Sequence, residues 1–185
     1  PCVFSSDDDD VASPTLLEEH LRAHDHFPDS RTAILSHTDW NSSLDVTPCM
    51  DYLVNVGQFL FSYPSINPDE RLGWRNFWTG RLSCKRSMLV NFGVFSVAMR
   101  RVEDIELGYR LNKEGYRIRL SKTLQVKHLK RWGAVSLLKS DFFDRALPWM
   151  ELILSRGWLI RDLNLKTANR VSIPLAFVLV LALLG

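Results

Sequence analysis

This chain of 185 residues contains few cysteines and has almost no net charge. It contains three cysteines, Cys2, Cys49 and Cys84, which are odd in number and widely spaced and include no CxxC pair. That pattern argues against a disulfide framework or a cysteine-based zinc site and favours buried, reduced thiols. The formal net charge is only +2, with acids and bases spread along the chain. The sequence therefore lacks the basic footprint of a nucleic-acid-binding protein.

Repeats and low-complexity segments are also absent, and there is one long hydrophobic run. The stretch VSIPLAFVLVLALLG, residues 171–185, is apolar except for Ser172, although it is shorter than the roughly 20 residues that cross a bilayer. We expect it to be the start of a truncated transmembrane helix, with a buried core helix as the alternative. Basic residues before the run predict a cell-membrane protein whose preceding domain faces the cytoplasm: Arg156, Arg161, Lys166 and Arg170.

The remaining pattern is that of one folded α/β unit. With 46% hydrophobic residues, the chain can bury one sizeable core. Strand-like and helix-like segments alternate, which predicts an α/β sandwich. We expect strands over 1–5, 32–37 and 116–129, and helices over 14–25, 51–61, 87–93 and 103–114. A strand that ends within the first few residues, in a chain that does not begin with methionine, predicts partner strands before it and hence a longer protein.

Four consecutive aspartates, Asp7–Asp10, follow the first predicted strand in the stretch PCVFSSDDDDVASP. Like charges at one place repel one another unless a cation, hydrogen bonds or solvent compensates. A solvated acidic terminus is the commoner explanation, but Ser13 and Pro14 offer an N-cap and a first-turn proline to the next helix. The run then occupies a strand-to-helix connection, where open α/β sheets bind ligands. Oxygen ligands there suit Mg²⁺ or Mn²⁺ shared with substrate phosphates.

A second acidic pair, Glu103 and Asp104, opens the helix predicted in VEDIELGYRLNKEGYRI, and Gly115 is its expected stop. The helix dipole favours negative charge in the first turn, so we expect Asp104 to stay ionised. An ionised carboxylate in a cleft can act as a base or a ligand. Simple capping of the helix by acids is the alternative.

Three stretches in this order resemble the second half of a family 2 glycosyltransferase of the GT-A fold: DDDDVASPTLLEEHL, FWTGRLSCKRSMLVNFG and VEDIELGYRLNKEGYRI. The resemblance implies a Rossmann-type α/β/α sandwich over residues 1–135 whose N-terminal nucleotide-binding strands are missing. A membrane-proximal helical segment over 136–170 and the membrane helix over 171–185 follow. The implied activity is inverting transfer of a sugar from a nucleotide-diphosphate-sugar donor to a lipid-linked or polysaccharide acceptor.

The resemblance also implies roles for single residues. In such enzymes a DxD motif holds a divalent cation, Mg²⁺ or Mn²⁺, on the donor diphosphate. This puts Asp8 towards the ribose and the metal, Asp10 on the metal, and Asp9 at either task. The ED pair supplies the base, so Asp104, beside Glu103, takes the proton of the acceptor hydroxyl. The other implied residues are His128 for the metal, Arg131 for the donor, and Trp78, Gly80 and Trp132 for the acceptor.

Several alternatives stay open. Residues 128–132 read HxxRW, a variant of the QxxRW element of processive members, so processivity is open and Trp132 is equally suited to packing or a membrane interface. His20 and His24 have a zinc-compatible spacing but no third ligand, so we expect them on a polar helix face. Two rival functions are a metal-dependent phosphoryl-transfer or hydrolytic enzyme and a non-catalytic membrane scaffold with a decayed transferase fold.

Overall fold

The fold is a mixed sheet flanked by helices. The computed structural model describes residues 1–56, 71–72, 79–97, 99, 101–156 and 167–184. Within these ranges the strands are Cys2–Ser6 (β1), Asp10–Ala12 (β2), Thr32–Trp40 (β3), Arg71–Leu72 (β4), Arg81–Lys85 (β5) and Arg117–His128 (β6). They form one six-stranded sheet in the order β1-β5-β3-β6-β2, with β4 also paired to β6.

Seven α-helices accompany these strands in the described ranges: Leu16–His26 (α1), Pro48–Asp51 (α2), Arg86–Phe92 (α3), Glu103–Lys113 (α4), Ala134–Lys139 (α5), Leu147–Arg156 (α6) and Thr167–Leu184 (α7). A π-helical turn over Tyr52–Val56 extends α2, and another over Ser140–Ala146 joins α5 to α6. The mixed α/β class predicted from the sequence is thereby confirmed. The end of the helix predicted over 51–61 lies outside the described residues.

The directions of the strands bring the ends of several strands to one edge of the sheet. β5 is antiparallel to both β1 and β3, whereas β3 and β6 are parallel. The carboxyl ends of β1, β3 and β6 therefore lie at the same edge as the amino end of β5. We call this the carboxyl edge.

Each face of the sheet carries its own apolar core because side chains alternate along a strand. In β3, Ala33 and Leu35 point into the larger core, and Ile34 points into the smaller one. The larger core is completed by helices α2, α3 and α4, and the smaller core by α1. The principal helix contributions are Met50, Met88, Leu107, Leu111 and, from α1, Leu16.

Of two predictions about the first elements, one is confirmed and one is wrong. The strand expected over 1–5 is present as β1, at the end of the sheet. Ser13 does not cap α1, which begins at Leu16 and has no side-chain cap. The Ser13 carbonyl instead accepts a hydrogen bond from the N–H of Leu16 at 3.1 Å.

The expected polar face of α1 is also wrong, since His20 and His24 are buried against the sheet. The ring nitrogens of His20 lie 2.8 Å from Ser36 Oγ and 2.7 Å from Ser83 Oγ. His24 Nε2 lies 2.9 Å from the same Ser83 hydroxyl, which the two imidazoles share. Burial lowers the pKa of both histidines to about 4, helped at His20 by His24 and at His24 by Lys85.

Helix α7 occupies the region where a membrane helix was expected. Its large described side chains are exposed, so it is not the buried core helix that was the alternative. However, none of the helices in the described part of the chain combines the length and the apolar character that crossing a membrane requires. The membrane helix predicted over 171–185 therefore has no support from the fold.

We predict that acid destabilises this protein through His20 and His24. Both are neutral in the folded chain, with pKa values of about 4, and unfolding returns them to 6.5. Their contribution to stability is fully present above pH 6.5 and is lost as the pH falls towards 4, on the order of 3 kcal/mol per histidine. Urea denaturation between pH 4 and pH 8 measures the resulting slope.

The matched variant is His24→Gln, because the glutamine amide can donate to or accept from the Ser83 hydroxyl but does not titrate. We expect it to reduce the slope of unfolding free energy against pH between 4 and 6.5. An unchanged slope in this variant would contradict the assignment.

Candidate metal centre and acid–base site

The pairing of β2 with β6 creates the candidate metal centre at the carboxyl edge. In this antiparallel pair Asp10 stands directly opposite His128, so their side chains lie on the same face. Asp10 Oδ1 is 3.0 Å from His128 Nδ1, and Asp9 Oδ1 is 3.4 Å from the same nitrogen. On its other side, the His128 ring stacks on Trp40 at a centroid distance of 5.9 Å. The imidazole is thus held between two neighbouring strands.

The three side chains Asp9, Asp10 and His128 could hold a metal ion. Each offers one ligand atom, and these atoms lie within 4.8 Å of one another. The Asp10 side chain is fully buried. Its Oδ2 atom accepts no hydrogen bond from the described residues. Burying a carboxylate oxygen without a hydrogen bond is costly, so the arrangement fits a bound cation beside the more distant charge of Arg81 Nη2 at 3.6 Å.

A buried arginine that sequence reasoning missed also compensates the aspartates. Arg81, at the start of β5, places Nη2 3.2 Å from Asp7 Oδ2 and 3.6 Å from Asp10 Oδ2. The guanidinium of Arg81 therefore faces two carboxylates, Asp7 and Asp10, whereas Asp9 faces His128. Three carboxylates thus lie around one arginine, an excess of acidic oxygens that suits a bound divalent cation.

Gly80 contacts Asp7 through its backbone and leaves space for the Asp7 side chain. Its carbonyl accepts a hydrogen bond from the N–H of Asp7 at 2.9 Å. A Cβ added to Gly80 would collide with the Asp7 carboxylate. The residue implied to bind an acceptor therefore has a visible steric role, since its lack of a side chain lets the Asp7 carboxylate reach Arg81.

Asp104 stands at the start of α4 and belongs electrostatically to the same region, because the charge of Asp7 affects it. Burial raises the pKa of Asp104 to about 7, and the charges of Glu103 and Asp7 act in the same direction. Asp104 Oδ1 accepts a hydrogen bond from the N–H of Ile105 at 2.7 Å, which only partly offsets this. The expectation that the helix dipole keeps Asp104 fully ionised is wrong, because removal from water outweighs the first-turn effect.

The backbone before Asp104 is strained. Val102 has φ 53°, in the left-handed region, and this costs a residue with a Cβ about 1–2 kcal/mol. The Val102 carbonyl nonetheless accepts the first hydrogen bond of the helix, from the N–H of Glu106 at 3.0 Å. Strain of this kind is concentrated at functional sites, where the surrounding structure maintains it.

A buried ion pair fixes the other side of α4. Arg110 Nε lies 2.9 and 3.1 Å from the two carboxylate oxygens of Glu106, which is 1% exposed. The remaining nitrogens of Arg110 donate to the carbonyls of Phe92 and Val94, both at 2.9 Å. This pair ties α4 to the segment after α3. Its i, i+4 spacing is a signal that sequence reasoning could have used.

Other predicted site residues lie in different surroundings. Asp8 is exposed and is not a member of the Asp9–Asp10–His128 group. Trp132 is buried in the larger core, with Lys130 Nζ 4.6 Å from the centre of its ring. Arg131 is exposed on the surface beside it. Trp78 lies outside the described residues.

Comparison with known proteins gives no family assignment. No protein-family model matches the chain, and no curated protein matches it either.

We predict that the full chain binds Mn²⁺ and that Asp10→Asn weakens this binding by at least about tenfold, because a charged oxygen ligand is lost. Isothermal titration calorimetry with Mn²⁺ alone gives the affinities.

Asp8→Asn is the matched control, since it removes the same charge from the neighbouring exposed position. We expect Mn²⁺ affinity close to that of the wild type. Equal losses in both variants would show that binding depends on the general charge of the run, and unchanged affinity in Asp10→Asn would remove Asp10 from the centre.

Proposed function

We propose that this chain is part of an inverting, metal-dependent glycosyltransferase of family 2 and the GT-A type. The donor is a nucleotide-diphosphate sugar, and the acceptor is lipid-linked or a polysaccharide. The observation that carries the proposal is the Asp9–Asp10–His128 group at the carboxyl edge of the sheet, in which the buried Asp10 Oδ2 accepts no hydrogen bond from the described residues. That edge is where open α/β sheets bind nucleotide ligands.

The proposed cation is Mg²⁺ or Mn²⁺, held by Asp9, Asp10 and His128. Carboxylates suit both ions, and an imidazole is more readily accepted by Mn²⁺, a transition metal. When bound, such an ion neutralises the charge that develops on a leaving diphosphate. Arg81 keeps Asp7 and Asp10 in place from the side of β5. Asp8, exposed at the turn, remains the candidate contact for the donor ribose.

Asp104 is the proposed general base. The acceptor oxygen forms a bond to the anomeric carbon as its proton moves to the Asp104 carboxylate. The bond from the anomeric carbon to the diphosphate oxygen breaks, and the nucleoside diphosphate leaves with the electron pair. A pKa of about 7 suits this task, because a base is most effective when its pKa lies near the working pH. Attack from the side opposite the leaving group inverts the anomeric carbon.

Two further parts of the proposal concern the surroundings of this site. The outer edge of β1 has no partner strand within the described residues, and we propose that nucleotide-binding strands pair there. We also propose that the protein acts at the cell membrane with its catalytic part in the cytoplasm. The exposed apolar side chains of α7 support a contact between this helix and the membrane.

Metal-dependent phosphoryl transfer or hydrolysis is the second candidate, because the same two carboxylates and imidazole would serve it equally well. The products distinguish the two: glycosyl transfer releases an intact nucleoside diphosphate, whereas phosphoryl chemistry cleaves a bond to phosphorus. A non-catalytic scaffold would release neither.

We predict that Asp104→Asn lowers sugar transfer on the order of 10² to 10⁴ fold in the full-length protein, since asparagine cannot accept the proton. Donor and Mn²⁺ binding should survive, because the substitution keeps the shape and Asp104 is not a metal ligand in the proposal. The assay is transfer at saturating donor, with donor binding measured on the same variant.

Near-normal turnover would reduce Asp104 to a helix-capping residue, which asparagine replaces well. Lost turnover together with lost donor binding would instead point to a structural or metal role.

We further predict that the rate of sugar transfer falls at acidic pH. Because Asp104 must be deprotonated to act and its pKa is about 7, the transfer rate should fall about tenfold per pH unit well below pH 7 and level off above it. Rates under saturating donor between pH 5 and pH 9 measure this. A profile that is flat through pH 7 would contradict the assignment.

A further inference from the structure

Arg81 places a positive charge beside a carboxylate of the candidate metal centre. Its Nη2 atom lies 3.6 Å from Asp10 Oδ2, the buried oxygen that accepts no hydrogen bond from the described residues. The Arg81 side chain is 9% exposed, and that of Asp10 is fully buried. Burial limits the screening of these two charges by water and salt. The guanidinium also keeps its charge throughout the working pH range of a protein.

A divalent ion held by Asp9, Asp10 and His128 would have to share the Asp10 carboxylate with this guanidinium. Two positive charges on one buried carboxylate repel each other, because little solvent lies between them. The presence of Arg81 therefore opposes the binding of a cation that arrives alone. It does so without removing any of the three ligands.

Asp7 limits this opposition by holding Arg81 from the other side. Asp7 Oδ2 lies 3.2 Å from Arg81 Nη2, which is closer than Asp10 Oδ2, and the Asp7 side chain is 50% exposed. The N–H of Asp7 donates to the carbonyl of Gly80, the residue before Arg81, at 2.9 Å. The backbone thus keeps the Asp7 carboxylate next to the guanidinium. Asp10 remains available to an ion because Asp7 takes the shorter contact.

We infer that Arg81 makes metal binding at this centre depend on an anionic diphosphate. An ion that arrives alone meets the charge of Arg81, whereas an ion that arrives with a diphosphate brings negative oxygens that offset both positive charges. By linkage, the ion strengthens diphosphate binding by the same factor. The inference rests on the donor class in the proposed function and makes Arg81 a positioning residue that couples the ion to the donor.

A purely structural role for Arg81 predicts the opposite sign. If the arginine only held Asp10 in place, its loss would disorder a metal ligand and weaken metal binding. If it acts as a competing charge, its loss strengthens the binding of the ion alone. The direction of one affinity change therefore separates the two roles.

The test compares two ligands on the full chain by isothermal titration calorimetry: Mn²⁺ alone, and the preformed one-to-one complex of Mn²⁺ with pyrophosphate. Arg81→Gln removes the charge and keeps an amide that can donate a hydrogen bond to Asp7. The control is Arg22→Gln, which makes the same change on α1, at a side chain that is 73% exposed. Circular dichroism shows whether each variant is folded.

We expect the wild type to bind the Mn²⁺–pyrophosphate complex at least about tenfold more tightly than Mn²⁺ alone. Arg81→Gln should bind Mn²⁺ alone several-fold more tightly than the wild type does, and the ratio between the two ligands should fall. Arg22→Gln should keep both affinities of the wild type. Unchanged or weaker binding of Mn²⁺ alone by folded Arg81→Gln would overturn the inference.

Asp7→Asn is a second test that does not depend on the folding of Arg81→Gln, since the Asp7 side chain is half exposed. Without this carboxylate the guanidinium turns towards Asp10, so Mn²⁺ alone should bind several-fold more weakly than it does to Asp8→Asn, which loses the same charge. Equal affinities of these two variants for Mn²⁺ would contradict the role of Arg81.

Sugar transfer measured on the wild-type samples separates this inference from the proposed function. Coupled binding of Mn²⁺ and pyrophosphate without sugar transfer would keep the role of Arg81 and remove the transferase. Sugar transfer without coupled binding would keep the transferase and overturn the role of Arg81.

Discussion

The antiparallel pairing of β2 with β6 is the constraint on which the candidate site depends. It sets Asp10 opposite His128, and the parallel pairing of β3 with β6 sets Trp40 on the other side of the same imidazole. A slip of one residue in either pair would turn one partner to the opposite face of the sheet. Asp10 and His128 are therefore fixed by strand pairing, and Asp9, in the turn before β2, is held by its carbonyl, which accepts a hydrogen bond from the N–H of Leu129 at 2.8 Å.

Charge balance then explains how consecutive aspartates are tolerated at the end of a strand. Asp7 and Asp10 share the guanidinium of Arg81, Asp9 and Asp10 approach His128, and Asp8 points to solvent. One buried Asp10 oxygen accepts no hydrogen bond from the described residues and has Arg81 Nη2 3.6 Å away, so a further positive charge can be accommodated there. Burial is the main cause of the raised pKa of Asp104, and the charge of Asp7 adds to it, which links Asp104 electrostatically to the start of the aspartate run.

The sequence predicts much of this fold and part of the site. Periodicity predicts α1, α4, β3 and β6, and the short helix expected over 87–93 is present as α3. β2 and β4 escape prediction because strands of three and two residues have no readable period. The position of Arg81 beside Asp7 depends on pairing across more than seventy residues, which no local pattern encodes. The burial of single side chains is equally hard to predict. The sequence does not show that His20 points into the protein or that Asp104 is removed from water.

The most direct test of the central claim is pulsed electron paramagnetic resonance of Mn²⁺ bound to the full-length protein together with a nucleotide-diphosphate sugar. The account predicts nitrogen coupling from the imidazole of His128, which His128→Gln removes, and phosphorus coupling from the donor diphosphate on the same ion. Bound Mn²⁺ that shows neither coupling would contradict it.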